Sequence, residues 1–185
     1  MRVFIAMELP QKTRENLCRS MQQLADHATR GSFTAPQNLH VTLHFLGEVL
    51  PENLIYVQSA MDSIKDLPAP TLAISQISTL RASDVVCAKL KYDQKLLDVH
   101  TTLGNYLEEN GFDVEHRAYR PHVTLMRRYA FDLPFSEVTK GVKVYNMPFE
   151  GTQVVLYQSV LNKDGPTYTE LYRVHLPAKL PPKVG

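Results

Sequence analysis

Hydrophobic and polar positions follow one another with a period that changes along the chain, and each change predicts a short element of secondary structure. Residues 3–9 form a compact apolar run that predicts a first strand. Apolar residues then recur at helical spacing from Leu17 to Ala28, and Gly31 is the predicted end of that helix. A loop over residues 33–38, with Pro36 inside it, leads to the next apolar segment.

The same pattern predicts the elements of the rest of the chain. These are a strand over 39–46, a helix from Pro51, strands over 71–80 and 85–90 joined by a turn at 81–84, a helix after Asp93, a strand over 122–127 and a short helix within 131–140. Residues 149–161 predict one long strand with Gly151 inside it. The turn signal at residues 162–165 predicts that this strand forms a hairpin with residues 168–176.

The order of these elements predicts the fold class. Helices and strands are mixed, and short turns join several neighbouring strands, which favours an α+β fold with antiparallel sheets over a parallel doubly wound sheet. Strand, helix and strand over residues 3–46 recur over residues 85–127. We therefore predict two related lobes that face each other across a cleft, within a single bilobal domain that spans the 185 residues, 1–185.

Two of the predicted strands begin with the same tetrapeptide, His40-Val41-Thr42-Leu43 and His122-Val123-Thr124-Leu125. Residues i and i+2 of a strand share a face, so each His shares a face with its Thr. A lone histidine on a strand is more simply a half-buried structural residue. The identical pair favours acid–base catalysis at His40 and His122, with two imidazoles and two hydroxyls around one anionic group.

The two threonines of the repeat have two interpretations of equal weight. Thr42 and Thr124 are good strand formers, and either hydroxyl could instead donate a hydrogen bond to a phosphoryl oxygen. His44 continues the alternation of the first motif, so it is predicted on the same face as His40. No Asp, Glu or Cys accompanies these residues, so we expect no metal site and place His44 at the cleft rim or in a structural role.

Arg127 follows the second motif and is a candidate for phosphate binding, although a solvated surface residue is the simpler interpretation. It lies five residues after His122, so regular alternation would place its side chain on the opposite face unless the strand ends or bulges. His100, on an apolar helix face, is expected to be structural. Four aromatic residues could stack on a base but are more simply placed in the core or at its rim: Phe4, Tyr119, Tyr157 and Tyr168.

The net charge, the cysteines and the length of the apolar runs limit which partners the protein is expected to bind. The net charge is +1, which gives no broad basic surface for duplex nucleic acid, whereas a compact anionic ligand needs only local cations. Cys18 and Cys87 have neither metal-site spacing nor a disulfide framework, and reduced thiols are typical of the cytoplasm. No apolar run is long enough to span a membrane, and the first one ends too early for a signal peptide, so we expect no membrane partner.

These residues resemble the two-histidine (2H) phosphoesterase superfamily and, more narrowly, the RNA 2′,3′-cyclic phosphodiesterases that are also called 2′-5′ RNA ligases. The resemblance rests on the paired motifs, on residues 2–10, on Asn38 and residues 45–47 around the first motif, on Pro121 and Arg127 around the second, and on residues 156–159 and 165–168. It implies a bilobal α+β fold with pseudo-twofold symmetry and a cleft, and a reaction without metal or other cofactors.

The resemblance also implies residue roles. His40 would be the proton donor and His122 the proton acceptor, while Thr42, Thr124 and Arg127 would bind the substrate. The implied reaction is hydrolysis of RNA 2′,3′-cyclic phosphate ends to 2′-phosphates, with reverse 2′-5′ ligation as a further activity. The expected protein is a cytoplasmic monomer that acts on RNA ends or cyclic nucleotides. The alternatives are a nucleotide- or RNA-binding module of this fold without turnover, and a structural or interaction domain.

Overall fold

The computed structural model describes residues 1–80 and 84–179, so most of the predicted turn at 81–84 and the last residues of the tail lie outside it. Within these ranges the elements, in chain order, are β1 (Arg2–Glu8), α1 (Gln11–Ala25), β2 (Ala28–Phe33), β3 (His40–Glu48), α2 (Leu54–Asp62), β4 (Thr71–Leu80), β5 (Val85–Tyr92), α3 (Gln94–Glu109), β6 (His122–Phe131), α4 (Phe135–Lys140), β7 (Phe149–Glu150), β8 (Gln153–Asn162) and β9 (Gly165–His175). Short 3-10 turns at Pro36–Asn38 and Pro51–Asn53 precede β3 and α2.

The strands form two sheets, and every pairing between them is antiparallel. The first lobe contains the four-stranded sheet with order β3-β1-β8-β9, and the second contains the five-stranded sheet with order β2-β6-β5-β4-β7. The predicted α+β class with two antiparallel sheets is therefore confirmed.

The internal repeat is visible in the pairing of the strands. In the first lobe, β3 pairs with β1, and α1 lies between them in the chain; in the second lobe, β6 pairs with β5, and α3 lies between them. Val41 of β3 and Val123 of β6 are fully buried in one hydrophobic cluster, together with Leu17 of α1 and Leu103 of α3. Burial of a Val or Leu side chain contributes roughly 1.5–3 kcal/mol, so these residues hold one face of each motif strand against the core.

The first helix is shorter than predicted, and an unpredicted strand follows it. Helix α1 ends at Ala25, and Gly31, its expected end, lies inside β2. This strand pairs with β6, so a segment between two elements of the first lobe joins the sheet of the second lobe. Nearly every side chain of β2 is exposed, so its sequence has no hydrophobic alternation that could have indicated a strand.

The long strand predicted over residues 149–161 is divided at Gly151. The short β7 before this glycine pairs with β4 of the second lobe, and β8 after it pairs with β1 of the first lobe. The Gly151 amide donates a hydrogen bond to the Pro70 carbonyl oxygen over 2.9 Å. A Cβ at this position would collide with the sulfur of Met7, so a larger residue would force this buried side chain to move where the chain passes between the sheets. The predicted hairpin of β8 and β9 is confirmed.

Candidate active site

The first motif strand presents His40 and Thr42 on one face because Val41 and Leu43 are buried on the other. The His40 Nδ1 lies 2.7 Å from the backbone carbonyl oxygen of Asn38. A carbonyl oxygen only accepts hydrogen bonds, so Nδ1 carries a proton and donates it. The Nε2 of neutral His40 is then the acceptor for the Thr42 hydroxyl, 2.9 Å away. The histidine and threonine of the motif thus form one unit.

The second motif repeats this geometry. Val123 and Leu125 are fully buried, and His122 and Thr124 lie on the opposite face of β6. The His122 Nδ1 donates to the carbonyl oxygen of Arg120 over 2.8 Å, which is again the residue two positions earlier. In both motifs the backbone therefore fixes the proton on Nδ1, and Nε2 is the nitrogen available for proton transfer.

The fold brings the two motif strands together. Strand β3 packs against β6, although the two strands belong to different sheets. Burial lowers the pKa of His40; the hydrogen bond to Asn38 raises it, and the positive charges of His122 and Arg127 lower it further. His122 and Arg127 thus lie within electrostatic range of His40, as a shared anionic substrate would require.

A β-bulge interrupts the first motif strand directly after the threonine. Ala6 of β1 lies opposite Thr42, and Ile5 lies opposite His44, so no residue of β1 lies opposite Leu43. One extra residue shifts the alternation of every side chain that follows it. The prediction that His44 shares a face with His40 is therefore wrong.

The bulge turns His44 into a structural position. His44 is only 6% exposed, and its Nε2 donates to the His100 carbonyl oxygen over 2.8 Å. Its ring stacks on the His100 ring, and Gly104 of α3 leaves the space that it occupies. Phe45, which is 66% exposed, takes the next position on the cleft face, opposite Phe4. Of the two sequence-based interpretations of His44, the structural one is supported.

The second motif strand has a bulge at the equivalent position. Cys87 of β5 lies opposite Thr124, and Val86 lies opposite Met126, so Leu125 is the extra residue. The bulge places Arg127 on the same face as Thr124, which is the exception to regular alternation that the sequence left open. The charge of Arg127 reaches both His40 and Tyr168, as their pKa shifts show.

The two bulges create a chemical asymmetry. Phe45 and Arg127 occupy equivalent positions, each five residues after a motif histidine, so an aromatic ring in one lobe corresponds to a cation in the other. Sequence reasoning did not select Phe45. An alignment of the two motifs indicates Phe45, because it stands at the position that corresponds to Arg127.

Aromatic rings surround His40 in the first lobe. The Phe4 ring lies 5.0 Å from His40, 5.5 Å from Tyr157 and 4.8 Å from Tyr168, measured between ring centroids. The Tyr168 ring meets His40 edge-on at 5.6 Å. Three of the four aromatic candidates thus gather on the His40 side, and Phe45 adds an exposed ring 5.7 Å from Phe4. Tyr119 is separate and stacks on His100 at 3.9 Å.

A carboxylate that the sequence did not single out lies beside His40. Glu8 of β1 is opposite His40 in the strand register. Its Oε2 accepts a 2.7 Å hydrogen bond from Nη2 of Arg173, and this guanidinium holds the pKa of Glu8 below its usual value. The ion pair with Arg173 keeps the Glu8 carboxylate deprotonated. Of the two neighbours Glu8 and His40, His40 is therefore the side chain that can exchange a proton.

Comparison with known proteins shows which family the chain resembles. Residues 7–86 match the family model described as LigT like phosphoesterase. The chain is 27% identical over 173 residues to the RNA 2′,3′-cyclic phosphodiesterase of Methanocaldococcus jannaschii, with 91% of this chain and 96% of that protein covered. These similarities support the 2H phosphoesterase family. The protein of the same description from Escherichia coli K12 is 28% identical over 175 residues, with 93% and 94% covered.

Solved structures agree with the assignment to the LigT-like phosphoesterases. A protein from Thermus thermophilus superposes with a TM-score of 0.81 at 25% identity, over 95% of this chain and 98% of that one. Escherichia coli LigT without ligand superposes with a TM-score of 0.78 at 27% identity, over 95% and 96%. The E. coli protein has also been solved in complex with 3′-AMP. The predicted family and phosphodiesterase class are confirmed.

Two features of the described residues concern partners. In residues 1–80 and 84–179, no three His, Cys, Asp or Glu side chains are grouped so that they could hold a metal ion. The helices of the same ranges include none with the length and apolar character needed to cross a membrane.

Proposed function

We propose that this LigT-like phosphoesterase hydrolyses RNA 2′,3′-cyclic phosphate ends to 2′-phosphates. The observation that carries the proposal is the matched pair of motif histidines, each with Nδ1 bonded to a backbone carbonyl oxygen and each on the cleft side of its strand. One histidine can remove a proton while the other supplies one, as opening a cyclic phosphate requires. The relatives described as RNA 2′,3′-cyclic phosphodiesterases support the choice of substrate.

In the proposed reaction, Nε2 of neutral His122 takes a proton from water as the water oxygen attacks phosphorus. The bond from phosphorus to the ribose 3′ oxygen breaks, and protonated His40 gives its Nε2 proton to that oxygen. The product carries a 2′-phosphate and a 3′-hydroxyl. Each proton transfer contributes about a hundredfold to ten-thousandfold in rate.

The substrate itself would favour the protonated form of His40. Burial and nearby cations lower the pKa of His40 in the free protein. A phosphodiester anion between the motifs would raise this pKa because it offsets the charges of His122 and Arg127. The catalytic acid would thus be charged mainly when substrate is present.

The remaining predicted site residues would bind the phosphate. We assign Thr42 and Thr124 to its nonbridging oxygens, because each hydroxyl lies on the same strand face as its histidine. Fixed donors of this kind stabilise charge that develops in the transition state. Arg127 would supply a cation on the same face, with the fork of N–H donors that suits phosphate oxygens.

We further propose that the reaction needs no metal, because the two histidines account for both proton transfers and Arg127 offsets the charge. Residues 1–185 would act as a single bilobal domain and as a cytoplasmic monomer. Both motifs come from one chain, and their buried faces belong to one hydrophobic cluster. With a 5′-hydroxyl in place of water as the nucleophile, the same groups would join a cyclic phosphate end to that hydroxyl and form a 2′-5′ linkage.

The test is incubation with 2′,3′-cyclic AMP in EDTA, followed by phosphorus NMR of the product. We expect adenosine 2′-phosphate as the only product, at a rate that the chelator does not change. A 3′-phosphate product would reverse the proposed geometry of attack. A rate lost in EDTA and restored by zinc or magnesium would contradict metal independence. Nucleotide binding without turnover would support the alternative of a silent binding module.

A further inference from the structure

Strand β2 crosses from the first lobe to the second, although nearly all of its side chains are exposed. It lies between α1 and β3 in the chain, yet it forms the edge of the five-stranded sheet beside β6. Burial of apolar surface, the usual reason for a strand to join a sheet, therefore explains little of this crossing. The contacts that β2 makes with β6 indicate a different role.

The end of β2 holds the bulge of the second motif strand. Phe33 lies opposite Met126, and the amide of the next residue, Thr34, donates to the carbonyl oxygen of Leu125 over 2.8 Å. The Thr34 hydroxyl donates to the carbonyl oxygen of Thr124 over 2.9 Å. One residue thus binds the carbonyl groups of both the motif threonine and the bulge residue that follows it.

The middle of β2 contacts β6 on the other side of Arg127. Ser32 lies opposite Arg127. The register then shifts, so that Gly31 faces two residues of β6, Arg128 and Tyr129. Arg128 has a φ of 52°, and Gly31 has a φ of 142°. Residues with a side chain rarely adopt a positive φ, so a second irregularity of the strand follows Arg127 directly.

The absence of a side chain at Gly31 allows this close contact. A Cβ at this position would lie 2.5 Å from Cε of Met126, 3.3 Å from Cα of Tyr129 and 3.4 Å from the carbonyl oxygen of Arg127. The Met126 side chain could move away, whereas the other two atoms belong to the backbone of β6. Strand β2 therefore lies against the backbone of β6 both before and after Arg127.

The first motif has a contact equivalent to that of Thr34. The carbonyl oxygen of Thr42 accepts the hydroxyl of Tyr119, which lies in the segment before the second motif. Thr34 reverses this arrangement, because it precedes the first motif and binds the carbonyl oxygen of Thr124. The backbone of each motif threonine is thus held by a hydroxyl from the segment that leads to the other motif. This repetition favours a role at the site over general packing.

We propose that Thr34 and Gly31 are positioning residues that hold Arg127 toward the substrate. The inference rests on the proposed function, in which Arg127 offsets the charge of the phosphate. Thr34 fixes the bulge before Arg127, and Gly31 fixes the irregularity after it. The direction of the guanidinium is therefore set by a strand of the neighbouring lobe, and neither positioning residue needs to touch the substrate.

The first test is Thr34→Val in the purified full chain, because valine keeps the branched shape and the amide bond and removes only the hydroxyl. We expect KM for 2′,3′-cyclic AMP to rise about threefold to fivefold, within the range that one hydrogen bond contributes, while kcat stays within about twofold of wild type. Thr34→Ser keeps the hydroxyl and should retain the wild-type KM. The control is Thr139→Val, which removes the hydrogen bond from this hydroxyl to the Ser136 carbonyl oxygen in α4 and should leave KM unchanged.

The second test determines whether Thr34 acts through Arg127. Arg127→Ala removes the side chain that is positioned, so the addition of Thr34→Val to this variant should raise KM by less than about twofold. The dissociation constant of adenosine 2′-phosphate, measured by calorimetry, gives the same comparison without turnover. We expect Kd to rise in Thr34→Val and to rise no further when Thr34→Val is added to Arg127→Ala.

The variant Gly31→Ala tests the contact that follows Arg127. Its Cβ would push β2 away from β6, so KM should rise at least as much as in Thr34→Val. Gly111→Ala is the matched control, since Gly111 also has a positive φ, 86°, but an added Cβ would have no described atom within 4 Å. Both variants should lower the melting temperature, and only Gly31→Ala should raise KM. If Gly31→Ala does not fold, Thr34→Val decides the proposal.

The outcomes separate this inference from the proposed function. Equal KM and Kd values for Thr34→Val and wild type would overturn the positioning role, and so would a raised KM in Thr34→Ser. An equal rise of KM with and without the Arg127 side chain would also overturn it, because Thr34 would then act on another part of the site. A wild-type protein that does not hydrolyse 2′,3′-cyclic AMP would contradict the proposed function, and the Kd values would still decide the positioning role.

Discussion

The hydroxyl of Tyr119 donates a 2.6 Å hydrogen bond to the backbone carbonyl oxygen of Thr42. Tyr119 lies in the segment before the second motif, and Thr42 belongs to the first, so this bond connects the two halves of the site. The Tyr119 ring also stacks on His100, which stacks on His44. A column of three rings thus supports β3 from behind the cleft.

Removal of this bond should affect both stability and catalysis. A hydrogen bond of this kind contributes about 0.5–1.5 kcal/mol, so Tyr119→Phe should lower the free energy of unfolding by about that amount. It should also lower kcat on 2′,3′-cyclic AMP several-fold, because the Thr42 backbone is no longer held. Urea denaturation and steady-state kinetics measure the two effects.

The matched control for Tyr119 is Tyr172→Phe. Its hydroxyl makes a bond of the same length, 2.6 Å, to Asp62 on an exposed surface. This variant should leave kcat unchanged. If Tyr119→Phe also left kcat unchanged, the bond to Thr42 would have only a structural role.

Each motif histidine should be essential. His40→Ala or His122→Ala removes one proton transfer, and each should lower kcat/KM on 2′,3′-cyclic AMP by at least about a hundredfold. The double variant should be little worse than the more severe single variant, because both groups act in one displacement. His27→Ala is the control, since this histidine pairs with Asp132 at the surface. A near-normal rate in either motif variant would remove that histidine from the mechanism.

Arg127 and Arg128 should differ although they are adjacent. The bulge at Leu125 places Arg127 on the cleft face, so Arg127→Ala should raise KM for 2′,3′-cyclic AMP about tenfold, as loss of a charged phosphate contact predicts. Arg128→Ala should stay within about twofold of wild type, as for an exposed side chain that makes no substrate contact. Equal KM values for the two variants would contradict the placement of Arg127.

The ring column should make stability depend on pH. Burial and, to a smaller extent, the charge of His44 lower the pKa of His100 from 6.5 to about 4, so the folded state resists protonation of this ring. Above pH 6.5 His100 is neutral in both the folded and the unfolded states. Its contribution to the free energy of unfolding is then fully present. As the pH falls from about 6.5 to about 4, only the unfolded state gains the proton, and stability declines.

The variant His100→Phe tests this dependence because it keeps a ring in the column and cannot take up a proton. Its melting temperature should decline less than that of wild type between about pH 6.5 and pH 4.5, a range within which unfolded histidine gains its proton. Some decline should remain, since burial also lowers the pKa of His44. His116→Gln, at an exposed position, should follow wild type. Parallel curves for His100→Phe and wild type would exclude His100 as the source.

Local sequence determined the central features of the site. Val41, Leu43, Val123 and Leu125 alternate with His and Thr, and burial of those four apolar side chains leaves the histidine and threonine of each motif on the opposite face. This pattern acts within a few residues, so it specifies the strand and its buried face whatever the strand pairs with. The repeated order of strand, helix and strand over residues 3–46 and 85–127 likewise predicted two related lobes.

Tertiary structure decided what depends on the partner of each strand. The bulges at Leu43 and Leu125 exist only relative to β1 and β5, and they turn His44 into the core and Arg127 toward the cleft. The exposed strand β2 is stabilised by pairing with β6, which no period within residues 28–33 could indicate. Periodicity reports which side of a segment is apolar, whereas register and neighbours come from residues distant in the chain. For the same reason, the position of Thr34 beside Leu125 required the folded sheet.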